Sequence, residues 1–418
     1  SAYASRFEIE KQFFRSTNEL LASGVLSGLR NEVVLIKGAR VFHFDDITDV
    51  LELKVHETIL EINLNALTAN LNYYRNKLKP ETKMVCMVKA SAYGAGSFEV
   101  AKTLEDQRVD YLAVAVADEG ADLRKAGIHC PIIIMDPEVN AFKTMFDYKL
   151  EPEVYSFQML EELIKAAERE GAANVPVHIK VDTGMHRLGF ASSDMPRLAE
   201  RLHRQSTVIP RSIFSHLVGS DSDRFDPFTR RQIETFEAAA ADLQKEFNHK
   251  IIRHICNTAG IERYPGAQFD MVRLGLGLYG IDPYTNRILH NVTTLKTTIL
   301  QIHDVPADET VGYSRKGVLS RDSRIATLPI GYADGLNRRL GNGHAYCLVN
   351  GKKAPYVGNI CMDVCMIDVT DIDCKEGDKA IIFGDDLPVT VLSDVLETIP
   401  YEILTSVSGR VKRIYYQD

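Results

Sequence analysis

The sequence predicts an α/β protein in which a (β/α)8 TIM barrel is followed by a C-terminal, mostly-β domain. From residue 84 onward, short apolar strands alternate with amphipathic helical stretches, and eight such units fill roughly 200 residues, which is the size of such a barrel. Beyond about residue 284, β-branched runs broken by Gly, Asp and Asn replace this rhythm. A doubly wound open sheet is the alternative, but no GxGxxG motif follows the first strand.

Eight short apolar runs mark the predicted barrel strands. They are MVCMVKA near residue 84, YLAVAV near 111, IIIM near 132, EPEVYS near 151, VPVHIKVD near 176, RSIFSHL near 211, IIRHICNT near 251 and MVRLGL near 271. Between them, stretches such as FQMLEELIKAAERE and RRQIETFEAAAADLQKEF carry apolar residues at helical spacing and predict helices.

The rest of the chain divides into a β domain and an N-terminal segment. After the barrel, strands are predicted for TTLKTTILQI, SRIATLPIG, HAYCLVNGKKAPYVG, VCMIDV and DKAIIFGDD. One helical stretch, SDVLETIPYEILTSV, and a terminal strand, RVKRIYY, follow. The first residues lack the alternation of strands and helices that marks the barrel. We therefore predict three segments: an N-terminal segment at residues 1–52, the barrel at 53–283 and the β domain at 284–418.

The composition favours a soluble enzyme that acts on a small molecule. Hydrophobic residues make up 45% and charged residues 25% of the chain, a balance typical of globular proteins. The net charge is -8 and the basic residues are scattered, which argues against a nucleic-acid interface. No apolar run is long enough for a membrane span, and none resembles a signal peptide. The seven cysteines lack CxxC spacing, which indicates reduced thiols in a cytoplasm and no metal site.

Polar residues stand where the predicted strands end, and in a barrel of this kind the catalytic groups lie at the C-terminal ends of the strands. These residues are Lys89, Asp182, Arg187, His216, Asn257 and Arg273. A lysine after a strand is usually a solvated loop residue, yet Lys89 follows an apolar run and precedes Tyr93. A desolvated lysine amine is a nucleophile that forms a Schiff base with an aldehyde. Lys89 therefore suggests pyridoxal phosphate as the cofactor.

Two further stretches carry groups that suit anionic ligands. In KVDTGMHRLGF, Arg187 offers a planar fork that matches a carboxylate or phenolate. For Lys180 in the same stretch, a plain salt bridge with Asp182 is the alternative to a role in the site. HICNTAG and VRLGLGLYG place small residues with free backbone N–H groups beside the Thr258 hydroxyl, a pattern typical of a phosphate cradle.

Eight motifs, taken together, resemble the alanine racemases, which belong to the fold type III class of pyridoxal phosphate enzymes. They are VKASAYGAGS, KVDTGMHRLGF, SHLVGSDSD, HICNTAG, VRLGLGLYG, VGYSRK, LPIGYADGLNRRLGNG and VGNICMDVCMIDV. The match runs in unbroken order from about residue 56 to 418. The resemblance implies an isomerase that interconverts L-alanine and D-alanine and supplies D-alanine for peptidoglycan. It also implies a homodimer whose sites are shared between subunits.

The resemblance implies two catalytic bases. Lys89 would hold the cofactor and act as one base, while Tyr313 would reach the opposite face of the cofactor from the partner subunit. Racemisation removes a proton from one face of the α-carbon and returns it to the other, which two bases accomplish. His216 would support Tyr313, because a phenol needs a hydrogen-bond network to act as a base.

The resemblance also assigns the residues around the cofactor. The implied cofactor-binding set is Lys89, Tyr93, His216, Asn257, Thr258, Arg273, Gly275 and Leu276. Within it, Tyr93, Thr258 and the backbone of Gly275 and Leu276 would hold the phosphate. Arg273, supported by His254, would face the pyridine nitrogen. Because an arginine does not readily release a proton, this arrangement would limit transamination.

A second implied set binds the substrate. Arg187 would contact the substrate carboxylate and the cofactor phenolate, oriented by Lys180 as a carbamylated lysine. Met362 and Asp363 would approach the substrate from the partner subunit, and Tyr332 would line the entrance.

This chain departs from the family pattern at several positions. Ser91 and Ala95 replace the residues of the usual VKANAYGHG motif. Gly409 stands where the family often has a phosphate-contacting tyrosine, which predicts a weaker phosphate grip and a wider inner entrance. Three alternatives follow: a racemase of serine or another small amino acid, a decarboxylase of basic amino acids, and a non-catalytic carrier of pyridoxal phosphate. Arg273 argues against the decarboxylase, and Tyr313 argues against the carrier.

The first 52 residues have a resemblance of their own. NEVVLIKGARVFHF is similar to the tail of the ligase that adds D-alanyl-D-alanine to the UDP-N-acetylmuramoyl tripeptide. Some bacteria fuse this ligase to alanine racemase. We therefore expect the chain to be the racemase part of such a bifunctional protein, with a remnant of the ligase domain at 1–52.

Overall fold

The computed structural model describes residues 12–26, 29, 34–37, 47, 51 and 57–417. It divides the chain into two units, Ser1–Glu57 and Thr58–Asp418. In the first unit, the helix Thr17–Ala22 is capped by Ser16, whose side chain accepts a hydrogen bond from the Glu19 backbone N–H. The predicted ligase remnant, with the motif NEVVLIKGARVFHF, lies largely outside the described residues.

The second unit contains all the strands found in the described part of the chain. They are β1 Ile59–Asn63, β2 Lys83–Met87, β3 Tyr111–Val114, β4 Ile132–Ile134, β5 Glu151–Val154, β6 Val175–Lys180, β7 Val208–Phe214, β8 Ile252–His254, β9 Met271–Leu274, β10 Thr293–Thr298, β11 Gln301–Val305, β12 Thr310–Val311, β13 Gly317–Val318, β14 Ser323–Leu328, β15 Tyr346–Val349, β16 Lys352–Val357, β17 Cys365–Asp368, β18 Lys379–Phe383 and β19 Lys412–Tyr416.

Strands β2 to β9 form a nearly closed parallel barrel, which confirms the predicted fold class and all eight predicted barrel strands. Their order is β8-β7-β6-β5-β4-β3-β2-β9. Backbone hydrogen bonds span the gap between β8 and β9, from Arg273 N to Cys256 O at 2.9 Å and from Asp270 N to Arg253 O at 3.1 Å. All four residues of β3 are buried, as expected for a parallel strand covered on both faces.

Helices alternate with the barrel strands, and two further helices precede the last strand of the chain. The α-helices of this unit are Leu64–Arg75, Ser97–Asp106, Ala117–Lys125, Phe142–Asp147, Phe157–Arg169, Met195–His203, Asp226–Lys245, Thr258–Arg263, Val389–Leu396 and Pro400–Ser406. Short 3-10 turns lie at Val139–Ala141, Ser192–Asp194, Asp223–Phe225, Pro265–Ala267, Leu276–Tyr279, Tyr313–Arg315, Tyr332–Asp334 and Arg338–Leu340. The helix Phe157–Arg169 illustrates why these stretches form helices. Ser156 caps its first turn, and its buried residues recur at helical spacing.

The last predicted helical stretch differs from the structure, because it forms two helices instead of one. Val389–Leu396 ends at Glu397, which has a φ of 54°. Pro400 then begins the second helix, where its missing N–H costs no hydrogen bond.

The β domain is a nine-stranded sheet with the order β11-β14-β17-β16-β15-β18-β10-β1-β19, and β12 pairs with β13 beside it. Strand β1, which precedes the barrel in sequence, pairs antiparallel with β10 and parallel with β19. Strand β1 therefore belongs to the sheet of the β domain, although it lies within residues 53–283, the range predicted for the barrel. The three predicted segment ranges stay a prediction.

Candidate active site

Lys89 follows strand β2 and begins a short left-handed turn, Lys89–Tyr93, at the C-terminal end of the barrel. Val88 before it is buried, and Lys89 itself is half-buried. The four residues 90–93 all have positive φ values, between 51° and 54°. This conformation costs roughly 1–2 kcal/mol for each residue that carries a Cβ. Strain of this kind persists only where the surrounding structure enforces it.

The carboxylate of Glu119 stabilises the turn. Its Oε1 accepts hydrogen bonds from the backbone N–H of Ala90 at 2.6 Å and of Ser91 at 3.4 Å. Its Oε2 accepts one from the N–H of Ala115 at 2.9 Å. Sequence reasoning missed Glu119, because its one local signal, an acidic residue in the first turn of a helix, is very common.

Tyr93, the last residue of the turn, is buried at the mouth of the barrel. Its ring packs against Tyr279 with the centroids 4.5 Å apart and against Tyr401 at 5.4 Å. Burial raises the pKa of the Tyr93 phenol, so the hydroxyl remains a hydrogen-bond donor. Its oxygen lies 3.2 Å from the point that a Cβ on Gly275 would occupy.

Thr258 completes this cluster. Its hydroxyl oxygen accepts from the backbone N–H of Gly275 at 3.0 Å and of Gly277 at 3.5 Å. Asn257 positions Thr258 by capping the following helix, since its Oδ1 accepts from the N–H of Gly260 at 3.0 Å. Two hydroxyls and several backbone N–H groups therefore meet beside a residue without a side chain, which fits a phosphate group.

Tyr401 is a further aromatic residue at this end of the site that sequence reasoning missed. Burial raises the pKa of its phenol to about 12, although the backbone of Leu276 partly opposes this increase. Gly409, in contrast, has no atom within 4 Å of the point that its Cβ would occupy. The cluster around Tyr93 therefore contains two further phenols, those of Tyr279 and Tyr401, despite the glycine at position 409.

Arg273 lies on β9 in the barrel interior and is held from several sides. It donates to Nδ1 of His254 at 2.9 Å, to the carbonyl oxygen of Ser215 at 2.6 Å and to Nδ1 of His216 at 3.4 Å. Its guanidinium carbon lies 5.1 Å from the centroid of the Phe214 ring. Burial lowers the pKa of Arg273 to about 10, so the group is still charged at pH 7.

Both histidines beside Arg273 are neutral at pH 7. Burial and the Arg273 charge hold the pKa of His254 well below its usual range. The same two causes lower the pKa of His216 to about 3. In each ring Nδ1 accepts from Arg273, which leaves Nε2 to carry the proton.

A buried relay continues from His254 through the barrel interior. His254 Nε2 lies 2.9 Å from the Ser212 hydroxyl, which lies 2.6 Å from Nδ1 of His178. His178 Nε2 then lies 2.9 Å from Oε2 of Glu151. Sequence reasoning singled out His254 but not the other members, which are spread over three strands.

Lys180 ends strand β6 and is buried, but it does not pair with Asp182. Its Nζ donates to both carboxylate oxygens of Glu153. Asp182 instead shapes the following loop, because its Oδ1 accepts from the N–H groups of Gly184 and His186 at 2.9 and 3.0 Å. The alternative of a Lys180–Asp182 salt bridge is therefore wrong, and Glu153 is a further residue that sequence reasoning missed.

The remaining expected site residues lie on the β domain and are exposed in the single chain. Tyr313 is 70% exposed and begins the 3-10 turn Tyr313–Arg315. Tyr332 and Met362 are also exposed, and their loops are joined by a 3.0 Å hydrogen bond from the Tyr332 N–H to the Cys361 carbonyl. Asp363 forms an ion pair with Arg410 at 2.7 Å.

Arg187 is exposed on the loop after β6. Within the part of the chain that the structure describes, no hydrogen bond joins Tyr313 to Lys89 or His216. The structure thus brings Tyr93, Thr258 and Gly275 together in one cluster. It brings Arg273, His254 and His216 together in another.

The described residues contain neither a metal-binding cluster nor a helix suited to crossing a membrane. No group of three or more His, Cys, Asp or Glu side chains in this part of the chain is arranged to hold a metal ion. No helix among the same residues combines the length and the apolar character that crossing a membrane requires.

The fold and site define a two-domain barrel enzyme built around a lysine at the barrel mouth. The family model for the N-terminal domain of alanine racemase matches residues 62–283, and the model for its C-terminal domain matches residues 292–415. The chain belongs to the alanine racemase family.

Individual relatives agree with this assignment. The chain is 37% identical over 374 residues to alanine racemase 2 of Caldanaerobacter subterraneus subsp. tengcongensis, covering 87% of this chain and 95% of the relative. It resembles the solved alanine racemase of Clostridium difficile with a TM-score of 0.82 and 34% identity, over 87% of this chain and 97% of that one. The alanine racemase of Bartonella henselae, solved with covalently bound pyridoxal phosphate, matches with a TM-score of 0.78 and 29% identity, over 86% of this chain and 100% of that one.

Proposed function

We propose that this protein interconverts L-alanine and D-alanine with pyridoxal phosphate, by proton transfer to and from opposite faces of the substrate α-carbon. The observation that carries the proposal is the position of Lys89 at the barrel mouth, beside the cluster of Tyr93, Thr258 and Gly275. Family membership supports it, since the relatives named above are alanine racemases.

The residues of the barrel mouth fit the cofactor. Lys89 would hold it through its amine, while Tyr93, Thr258 and the backbone N–H groups at 275 and 276 would hold its phosphate. Arg273 would face its ring nitrogen. When bound, pyridoxal phosphate supplies an electron sink next to the substrate α-carbon.

The chain's own residues then bind the substrate and move the proton. Arg187 binds the substrate carboxylate through its guanidinium fork. Lys89 Nζ accepts or returns a proton on one face of the α-carbon, and Tyr313 Oη of the partner subunit does so on the other. Because Arg273 keeps its protons at pH 7, it would leave the ring nitrogen of a bound cofactor unprotonated, which would favour exchange at the α-carbon over transamination.

The test is deuterium uptake from heavy water into each enantiomer of alanine. We expect Tyr313→Phe to lose exchange mainly from L-alanine, because each base serves one face. Lys89→Ala is assayed separately, and Tyr73→Phe, on an outer barrel helix, is a control that should exchange both enantiomers normally. Equal loss from both enantiomers in Tyr313→Phe would contradict the assignment of faces. Release of carbon dioxide would indicate a decarboxylase, and equally rapid exchange into serine would indicate a broader racemase.

We infer that the working form is a homodimer with shared sites. Tyr313, Tyr332 and Met362 are exposed in the single chain, although each is expected to act next to the cofactor. A second copy would bring these residues to the barrel mouth that lacks them. A monomer with full activity in sedimentation and kinetic measurements would contradict this inference.

We also propose a cellular setting for the reaction. The motif NEVVLIKGARVFHF supports a ligase-derived segment at 1–52, and the cysteines without CxxC spacing support a cytoplasmic location. The product D-alanine would then feed peptidoglycan synthesis. Expression of the chain in a bacterium that requires D-alanine should restore growth without supplement, and continued dependence on D-alanine would contradict this role.

A further inference from the structure

Glu153 and Lys180 form an ion pair inside the barrel. Glu153 lies on β5 opposite His178 of β6, and Lys180 is two residues beyond His178, so the two side chains point to the same face. The Lys180 Nζ lies 2.9 Å from Oε1 and 3.2 Å from Oε2 of Glu153. The side chain of Glu153 is 0% exposed and that of Lys180 is 5% exposed, so the pair is shielded from water.

This pair lies among the cationic groups of the site. Burial and Asp136 raise the pKa of Glu153, whereas the positive charges of Lys180 and Arg187 lower it and favour the carboxylate form. The charge of Glu153 also acts on Arg273. A carboxylate at this point therefore interacts with the cation of the barrel interior and with the arginine expected to bind substrate.

A carbamate on Lys180 conflicts with this arrangement. Carbamylation requires a neutral amine: its lone pair attacks the carbon of CO2 and forms a C–N bond, one C=O π bond opens and leaves its electron pair on oxygen, and one N–H proton leaves to solvent. The Lys180 amine instead donates to both oxygens of a carboxylate, as an ammonium does. A carbamate would also place a second anion against the buried Glu153 carboxylate, which is unfavourable because like charges repel strongly where solvent screening is weak.

We propose that Lys180 is unmodified and that Glu153 supplies the negative charge that orients Arg187 toward the substrate carboxylate, a role that rests on the racemase function proposed above. Glu153 is thus a positioning residue that acts through Arg187. Lys180 holds the Glu153 carboxylate in place. The modification that the family resemblance implies for Lys180 is replaced in this chain by a carboxylate from the neighbouring strand.

The first test examines the wild-type holoenzyme by carbon-13 NMR after equilibration with carbon-13-labelled bicarbonate. We expect no enzyme-bound carbamate signal. A carbamate signal that disappears in Lys180→Met would overturn the proposal. This measurement does not depend on turnover, so it is informative even if the enzyme acts on another substrate.

The second test uses Glu153→Gln, which frees the Lys180 amine. At low bicarbonate the KM for alanine should rise on the order of ten- to a hundredfold with a smaller change in kcat, because Arg187 loses its anionic partner. Added bicarbonate should generate a carbamate signal and lower the KM again. Glu161→Gln removes a carboxylate that pairs with Arg201 on the outer helices and should show neither effect.

Two outcomes of the second test would overturn the role of Glu153. One is an unchanged KM in Glu153→Gln, and the other is a raised KM that bicarbonate does not lower. If this variant does not fold, the wild-type spectrum still decides whether Lys180 is modified.

Discussion

At the scale of single residues, both the backbone conformation of Gly96 and the neighbouring Tyr415 side chain disfavour any larger residue at position 96. Its φ is 100°, and a Cβ would lie 1.7 Å from the Tyr415 hydroxyl oxygen. Gly127 has a similar φ of 93° with nothing within 4 Å of its Cβ position. Gly96→Ala should therefore lose about 1–3 kcal/mol more free energy of unfolding than Gly127→Ala, which carries the backbone strain alone. Urea denaturation measures both, and equal losses would show that the contact with Tyr415 is relieved at no cost.

His216 provides a pH prediction at the same scale. Its pKa is lowered to about 3, first by burial and then by nearby cations, which are Arg273, Arg187, Lys180 and Lys89. The unfolded chain binds the proton near the ordinary pKa of about 6.5, so the unfolded state takes up protons first as the pH falls. The stabilisation is thus complete above about pH 6.5 and is lost progressively toward pH 3. His216→Gln should make the free energy of unfolding depend less on pH between pH 7 and 4. The same substitution at the exposed His129 should leave this pH dependence unchanged.

At the scale of elements, the left-handed turn after β2 depends on a helix that is distant in sequence. Glu119→Ala leaves three backbone N–H groups without their carboxylate acceptor, and we expect a loss of about 1–3 kcal/mol in the free energy of unfolding. The affinity for pyridoxal phosphate should fall as well, because the turn carries both Lys89 and Tyr93.

The neighbouring substitution Asp118→Ala is the matched control for this prediction. Asp118 also lies in the first turn of the helix but is exposed. It should leave stability and cofactor affinity nearly unchanged. Equal effects of the two substitutions would mean that helix electrostatics, and not the hydrogen bonds to the turn, explain the loss.

Strand β1 yields a second prediction at this scale. It lies between β10 and β19 in the sheet of the β domain, with Leu60 and Ile62 buried. A chain of residues 53–418 keeps this strand and should retain racemase activity. A chain of residues 64–418 removes it and should be insoluble or unfolded by circular dichroism, because two strands lose their central partner. Normal folding of the shorter chain would contradict the importance of β1.

At the scale of the whole molecule, the two expected bases can be tested by mixing inactive variants. Lys89→Ala and Tyr313→Phe homodimers should both be inactive in L-to-D conversion. After dissociation and random reassociation, about half of the dimers are mixed, and each has one site with both bases intact. The mixture should regain about a quarter of wild-type activity. As a control, mixing Lys89→Ala with the Lys89→Ala/Tyr313→Phe double variant should restore no activity. If both bases of a site came from the same chain, mixing the two single variants would also restore no activity, which would contradict the shared site.

Much of the fold and part of the site could be predicted from sequence because their signals are local. The barrel strands are short apolar runs, and the helices between them carry helical periodicity, so neither depends on distant residues. Lys89 and Asn257 could be predicted because each follows such a run, and Arg273 because it is a charged residue within one. Pro400, in contrast, divides a stretch whose apolar pattern continues across it, which is why one predicted helix became two.

The sequence by itself determined the order of strands and helices and the polar residues that end each barrel strand, since these follow from residue type and spacing along the chain. The tertiary structure decided which of those residues meet. Glu153 reaches Lys180 through strand register, Tyr401 packs on Tyr93 across the two domains, and β1 enters the sheet of the β domain. Such contacts join residues that are far apart in sequence. Their energy depends on burial, which weakens solvent screening between charges and removes aromatic surface from water, and local sequence patterns do not contain this information.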